Sequence, residues 1–202
     1  MAHLLLNPGA FVLYVIVATV TPGPNNLMLM NVGLLKGHGA AARTGVGVSS
    51  GWGFQVLLCG LGIGGLVHAV PGLASGIDVI GLCYLIWLSW KLWSSDHLSS
   101  AAPMHGMGGA FLYQWINPKA ISMSLTTAGL FVVKSHGGFP IASAIAVALG
   151  ATILCIPSTL VWGLSGVALR DRLSVPSFAR AFNRAAALTL VAMVIWLAVT
   201  TW

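Results

Sequence analysis

The chain has 202 residues, of which 57% are apolar and a further 25 are glycine, while only 6% are charged against a usual ~25%. Its formal charge of +6 comes from 9 Lys and Arg against 3 acidic residues, all of them Asp, and glutamate is absent. So little charge excludes a water-soluble surface and a disordered chain, and the scattered basic residues exclude a nucleic-acid patch.

What remains is an all-α polytopic membrane protein, a single transporter-like domain over residues 1–202, with room for six helical spans of ~20 residues. The first apolar run, Pro8 to Leu35, has no basic residue before it and exceeds a signal-peptide core, so it is expected to stay as span one. Near its middle stand Thr21-Pro22-Gly23-Pro24-Asn25-Asn26. Two prolines around a glycine do not continue an α-helix, and either Thr21-Pro22 or Gly23-Pro24 would restart it. Span two, Thr44 to Val67, carries Gln55 and the small-residue pairs Gly47/Gly51 and Gly60/Gly64. Span three, Gly76 to Trp93, has Asp78 near its outer end and Trp87, Trp90 and Trp93 as an interfacial belt.

A polar connection from Ser94 to His105 leads to span four, Gly106 to Val133, which is interrupted by Gln114-Trp115-Ile116-Asn117-Pro118-Lys119. Asparagine as N-cap followed by proline at the first helical position is a good helix start. Span five, Phe139 to Leu169, spaces Ala142, Ala146 and Gly150 by four; a basic connection from Arg170 to Arg184 precedes span six, Ala185 to Trp202. The small-residue spacings are read as packing between helices of one chain, with a homodimer interface as the lesser alternative. Barrel strands are excluded because the runs lack alternation. Cys59, Cys83 and Cys155 lie far apart, no histidines stand at ligand spacing, and Asp96-His97 falls in a loop. No metal site, disulfide or cofactor is expected.

Orientation follows from the basic residues. Lys36, Arg43, Lys91, Arg170, Arg172, Arg180 and Arg184 follow spans one, three and five, whereas the opposite side has Lys134. Under the positive-inside rule both termini face outward, with Trp202 as an outer anchor. The ninth basic residue, Lys119, lies inside span four.

Spans one to three and four to six each begin with a broken helix, so the halves, about 1–100 and 101–202, read as a 3+3 inverted repeat. Interrupted segments at matching places point to a transporter's midplane site. Each restarted helix aims free N–H groups and a positive dipole end at mid-membrane, and Lys119 adds a charge that would cost ~2.5–3.5 kcal/mol there without a partner. Together these suit a carboxylate. The candidate substrate residues are Thr21, Pro22, Gly23, Pro24, Asn25, Asn26, Gln55, Gln114, Asn117, Pro118 and Lys119. A ligand ammonium would use backbone carbonyls at the broken ends or the Asn and Gln amides, which describes an amino acid. With no carboxylate at mid-depth, a neutral amino acid is favoured over lysine or arginine.

Three stretches carry a family resemblance. Thr21-Pro22-Gly23-Pro24-Asn25 resembles the TPGPN signature of the LysE/RhtB (lysine exporter / homoserine-threonine efflux) family. The stretch from Gly81 to Lys91 is similar to its GAxYLxxLGxK motif, and Phe111 to Ala120 to its FxxxLxNPKA motif. Cys83 and Ser89 depart from the small residues of the pattern, and Ser122 to Ser124 stand where an aromatic pair is usual. The resemblance implies export of amino acids such as threonine, homoserine or leucine from the cytoplasm across a bacterial inner membrane, driven by the proton gradient. Burial disfavours a charged lysine, which makes Lys119 the first candidate to carry a coupling proton and Asp78 a peripheral one. Uniport or exchange is the other coupling. A passive channel lined by the same broken helices is the alternative function. An intramembrane serine hydrolase is a remote one, because Gly47-Val48-Ser49-Ser50-Gly51 matches GxSxG only at the start of an apolar helix.

Overall fold

The structure, a computed structural model, describes residues 8–63, 69, 72–95, 106–132 and 141–201. Among these, every regular element is a helix: α1 (Pro8–Val20), α2 (Pro24–Lys36), α3 (His38–Leu58), a π-helical turn (Cys59–Ile63), α4 (Leu73–Trp93), α5 (Gly106–Tyr113), α6 (Pro118–Phe131), α7 (Ile141–Ala168), the one-turn α8 (Arg170–Leu173) and α9 (Pro176–Thr201). Ile141–Ala168 and Pro176–Ile195 are each long and apolar enough to cross a membrane, and α1 with α2 forms a third candidate span bent by 59°. Lys134 and Trp202, the polar connection with Asp96, His97 and His105, His68, His136 and Gly64, and the side chain of Asp78 lie outside the described residues.

Helix boundaries differ from the apolar runs at two places. α3 starts at His38 and α9 at Pro176, ahead of the apolar limits at Thr44 and Ala185. The early part of α9 is amphipathic: Ala179, Asn183, Ala186, Ala187 and Leu190 are buried while Arg180 and Arg184 are exposed. Hydropathy alone cannot see a helix whose basic residues ride on its wet face. Between α2 and α3 the whole connection is Gly37, at φ 77°, whose N–H bonds back to the Gly33 carbonyl at 2.9 Å. A single-residue reversal in that region favours glycine.

α3 and α7 pack against each other at the centre, α2 and α5 flank them, and α4 pairs with α9. Glycine makes these crossings close. A Cβ on Gly33 would run into the Gly163 carbonyl, and one on Gly166 into that of Met30, so α2 and α7 touch backbone to backbone. Gly47 and Gly51 abut Met107 and Phe111 of α5 in the same way. The GxSxG stretch is thus a packing surface inside α3, with Ser49 fully buried. On α7 the buried small residues are Ala144, Ala148 and Ala151, whereas Ala142 and Ala146 are exposed. An alanine-rich helix offers small residues on several faces, and their spacing does not choose between them.

The basic residues gather at one end of the bundle. Met30 and Leu34 near the end of α2 cluster with Leu173 of α8 and Phe182 of α9. Asn183 of α9 donates to the Ser95 carbonyl just past α4 at 3.0 Å, and Arg184 lies 5.3 Å from the Trp93 ring centre. Lys36, Lys91, Arg170, Arg172 and Arg184 therefore share that end, where Trp87, Trp90 and Trp93 are about half exposed or more.

The glycine crossings yield a stability prediction. Gly166→Val should lower the stability of the detergent-solubilised protein by about 1–3 kcal/mol or more, read as a fall in thermal unfolding temperature. Gly39→Ala, where a Cβ meets nothing within 4 Å, should leave it unchanged or raise it.

Candidate functional site

The two breaks meet. α1 closes with the Thr21 N–H on the Val17 carbonyl at 3.1 Å; Pro22 then removes a donor, and α2 restarts with Gly23 as N-cap and Pro24 in its first turn. In the second break, i→i+3 bonds from Trp115 to Leu112 (3.1 Å) and from Ile116 to Tyr113 (3.2 Å) tighten the chain. Asn117 then caps α6, its side-chain oxygen accepting the Lys119 N–H at 3.2 Å, with Pro118 following.

Ending a helix at this depth leaves carbonyls without intrahelical donors, and in hydrocarbon each costs several kcal/mol if unpaired. Side chains of three other helices supply the donors. Asn26 of α2 donates to the carbonyls of Thr19 and Thr21, both at 2.9 Å. Trp162 of α7 donates its indole N–H to the Val20 carbonyl at 3.3 Å. Lys119 of α6 places Nζ 2.6 Å from the Thr21 carbonyl and 3.3 Å from that of Pro22. Gly23 is in extended conformation, which any residue adopts, but a Cβ there would lie 2.9 Å from Lys119 Cδ and 3.1 Å from its Nζ. Its role is to leave room for the lysine stem.

The second break is held by amides. Gln55 of α3 donates to the Gln114 carbonyl at 2.8 Å, and its oxygen accepts from Ser124 at 3.3 Å. Gln114 donates to the Ala110 carbonyl at 2.8 Å and accepts from Asn25 at 2.8 Å, tying the two breaks together. Tyr113, the last residue of α5, shares a hydrogen bond between hydroxyls with Tyr84 of α4. Gly81 of α4 abuts Pro118, where a Cβ would collide with the proline ring.

Between the breaks lies a cleft of about 30 Å³, on the order of one water's volume. Gly23, Asn25 and Asn26 from the start of α2 and Lys119 and Ala120 from the start of α6 line it. Two helix N-termini therefore converge here, whose first-turn N–H groups have no intrahelical acceptor. α3 contributes Trp52, and α7 contributes Cys155 and Thr159. Trp52 is 2% exposed and its indole N–H has no partner among the described residues.

Of the residues singled out in the sequence, Gly23, Asn25, Asn26 and Lys119 form the cleft, and Thr21 and Pro22 present carbonyls to Lys119. Pro24 and Pro118 start the two helices. Gln55, Gln114 and Asn117 are buried beside the cleft and are engaged with backbone. Sequence reasoning missed Trp52, Cys155, Thr159 and Trp162. Trp52 carried a usable signal, a large aromatic between Gly51 and Gly53, three residues before Gln55 and so on the same helix side.

The chain matches the family model described as LysE type translocator over residues 16–201. Similar curated proteins include the cysteine/O-acetylserine efflux protein of Salmonella typhimurium, 29% identical over 128 residues, covering 62% of this chain and 65% of that protein. The cysteine/O-acetylserine efflux protein of Escherichia coli (strain K12) is 30% identical over 129 residues, with the same coverages of 62% and 65%. Each alignment thus spans less than two thirds of the relative's length. No solved structure matches the chain.

Two substitutions test how the breaks are held. Asn26→Ala withdraws the side-chain donor from the carbonyls of Thr19 and Thr21 and should cost about 1–3 kcal/mol. Asn117→Ala removes a cap and should cost about 1 kcal/mol. Thermal unfolding in detergent should rank both below the parent, with Asn26→Ala the lower.

Proposed function

The chain belongs to the LysE type translocator family, and on that premise we propose that it is a secondary transporter that exports neutral amino acids from the cytoplasm. The cargo class includes threonine, homoserine and leucine, together with cysteine and O-acetylserine, which the names of its relatives specify. One observation carries the reading: a lysine ammonium sits against the carbonyl end of a broken helix, beside two helix N-termini. That arrangement is complementary to a zwitterion. A substrate carboxylate would take Lys119 and the N–H groups of α2 and α6. A substrate ammonium would take the Thr21 and Pro22 carbonyls that Lys119 releases. Lys119 and the two carbonyls each keep a partner through the exchange, as a low-dielectric site requires. The unpaired indole N–H of Trp52 adds a further donor to the cleft wall.

In this reading the chain forms six spans in a 3+3 inverted repeat in the bacterial inner membrane, with the basic end in the cytoplasm and both termini outside. The helix pairings support it, since α3 packs on α5 and α6 while α7 packs on α1 and α2. Exchanging the two halves maps each of those contacts onto the other. The cleft between the breaks holds space on the order of one water, which suits a carrier's narrow site better than an open pore. Proton antiport through Lys119 is the coupling we propose.

The test is uptake of labelled amino acids into inverted membrane vesicles. Uptake should saturate, be accelerated by an acidic lumen, and fall at least tenfold in Lys119→Gln. N-acetylated and C-amidated amino acids should compete at least tenfold more weakly than the free zwitterion. Non-saturating flux with ion conductance would instead identify a channel.

A further inference from the structure

Lys119 is the wall of a second and much larger space. On its other side lies a cavity of about 650 Å³ bounded by α1, α6 and α9, within the ~300–1,000 Å³ usual for small-molecule sites. Tyr14 and Ala18 line it from α1, Ser122 and Thr126 from α6, and Met193 from α9. Lys119, Met123 and Ala18 belong to both spaces. Ser122 and Thr126 follow Lys119 by three and seven residues, and Ala18 and Tyr14 precede Thr21 by three and seven. Those spacings place each set on one helix face, so the cavity runs from the breaks along α1 and α6, away from the basic end.

Size and chemistry divide the two spaces. The cleft has room on the order of one water, enough for a carboxylate-sized group at most. The rest of a bound amino acid has to lie elsewhere, and this cavity is a second space that Lys119 borders. Its wall is apolar apart from hydroxyls and the lysine itself, and among the described residues no acidic one lines it. A cationic side chain would be buried there without a partner, whereas an aliphatic, thioether or hydroxyl side chain would be well matched.

We propose that this cavity is the side-chain compartment of the substrate site, with Lys119 as the junction between headgroup and side chain. It receives uncharged side chains, including ones larger than that of cysteine. The proposal rests on the amino-acid export reading and specifies what that site selects.

The experiment measures leucine and alanine uptake side by side in inverted vesicles bearing the parent, Ser122→Phe or Met123→Ala. Ser122→Phe fills the cavity and should lower the leucine-to-alanine ratio on the order of tenfold, the scale of discrimination by an apolar pocket. Met123→Ala widens it and should raise that ratio. Ratios unchanged in both variants would overturn the proposal and leave the groove to lipid. Should Ser122→Phe abolish both activities, Met123→Ala decides: a raised ratio supports the compartment and an unchanged one overturns it. A parent protein that moves no amino acid at all would instead remove the export reading beneath it.

Discussion

The carbonyls at the end of α1 set the terms for everything around them. Thr19, Val20, Thr21 and Pro22 point oxygens into a region where the helix can no longer supply donors, and Asn26, Trp162 and Lys119 answer from α2, α7 and α6. Irregular backbone at membrane depth is tolerated only when it is enclosed or lines a cavity, and here Gly23 lines the cleft and Thr21 the larger cavity. The carbonyl end of a helix also carries the negative pole of its dipole. A lysine placed there needs no carboxylate, which accounts for a half-buried basic residue in a chain with no glutamate. It also explains Gly23, because any side chain at that position would occupy the path of the lysine stem.

That same contact joins the two broken helices. Lys119 belongs to the start of α6, its acceptors to the end of α1, and the Asn25–Gln114 pair makes a second bridge across the breaks. Any motion that separates α1 and α2 from α6 has to replace these bonds, since leaving them open in low dielectric is costly. A zwitterion offers a replacement for both halves of the Lys119 contact at once. A lone cation or a lone anion offers only one. In the proposed carrier this contact therefore links occupancy of the site to the relative position of the broken helices through a single side chain.

Much of this was legible in residue order. Prolines at 22, 24 and 118 marked the breaks, and Asn117-Pro118 marked a helix start that the structure realises as a cap and first turn. Glycines at 47 and 51 marked a close crossing that is present against α5. The partners were less legible. Cys155 and Thr159 come from α7, a helix apolar on several sides, so periodicity does not say which face turns inward. Gln55 and Gln114 stood out as candidate substrate residues because their amides lie at mid-depth. Here Gln55 donates to the Gln114 carbonyl, and Gln114 donates to the Ala110 carbonyl and accepts from Asn25, demands that arise only once the breaks are folded. The alanines of α7 failed for the same reason in reverse, their spacing being satisfied on more than one face.

Charge economy then extends from the site to the cargo. Among the described residues, none that lines the cleft or the larger cavity is acidic, and the one charged side chain is a cation. A cationic side chain brought into that space would add a second positive charge beside Lys119, with only hydroxyls and apolar carbons to receive it. Like charges in a medium poorer than water in dielectric screening repel by several kcal/mol at contact distances, more than an apolar fit of the remaining carbons returns at about 0.8 kcal/mol per methylene. An uncharged side chain meets no such opposition, and its length is limited only by the walls of α1, α6 and α9. In the proposed exporter, the lysine that closes the broken helix thereby disfavours lysine and arginine as cargo.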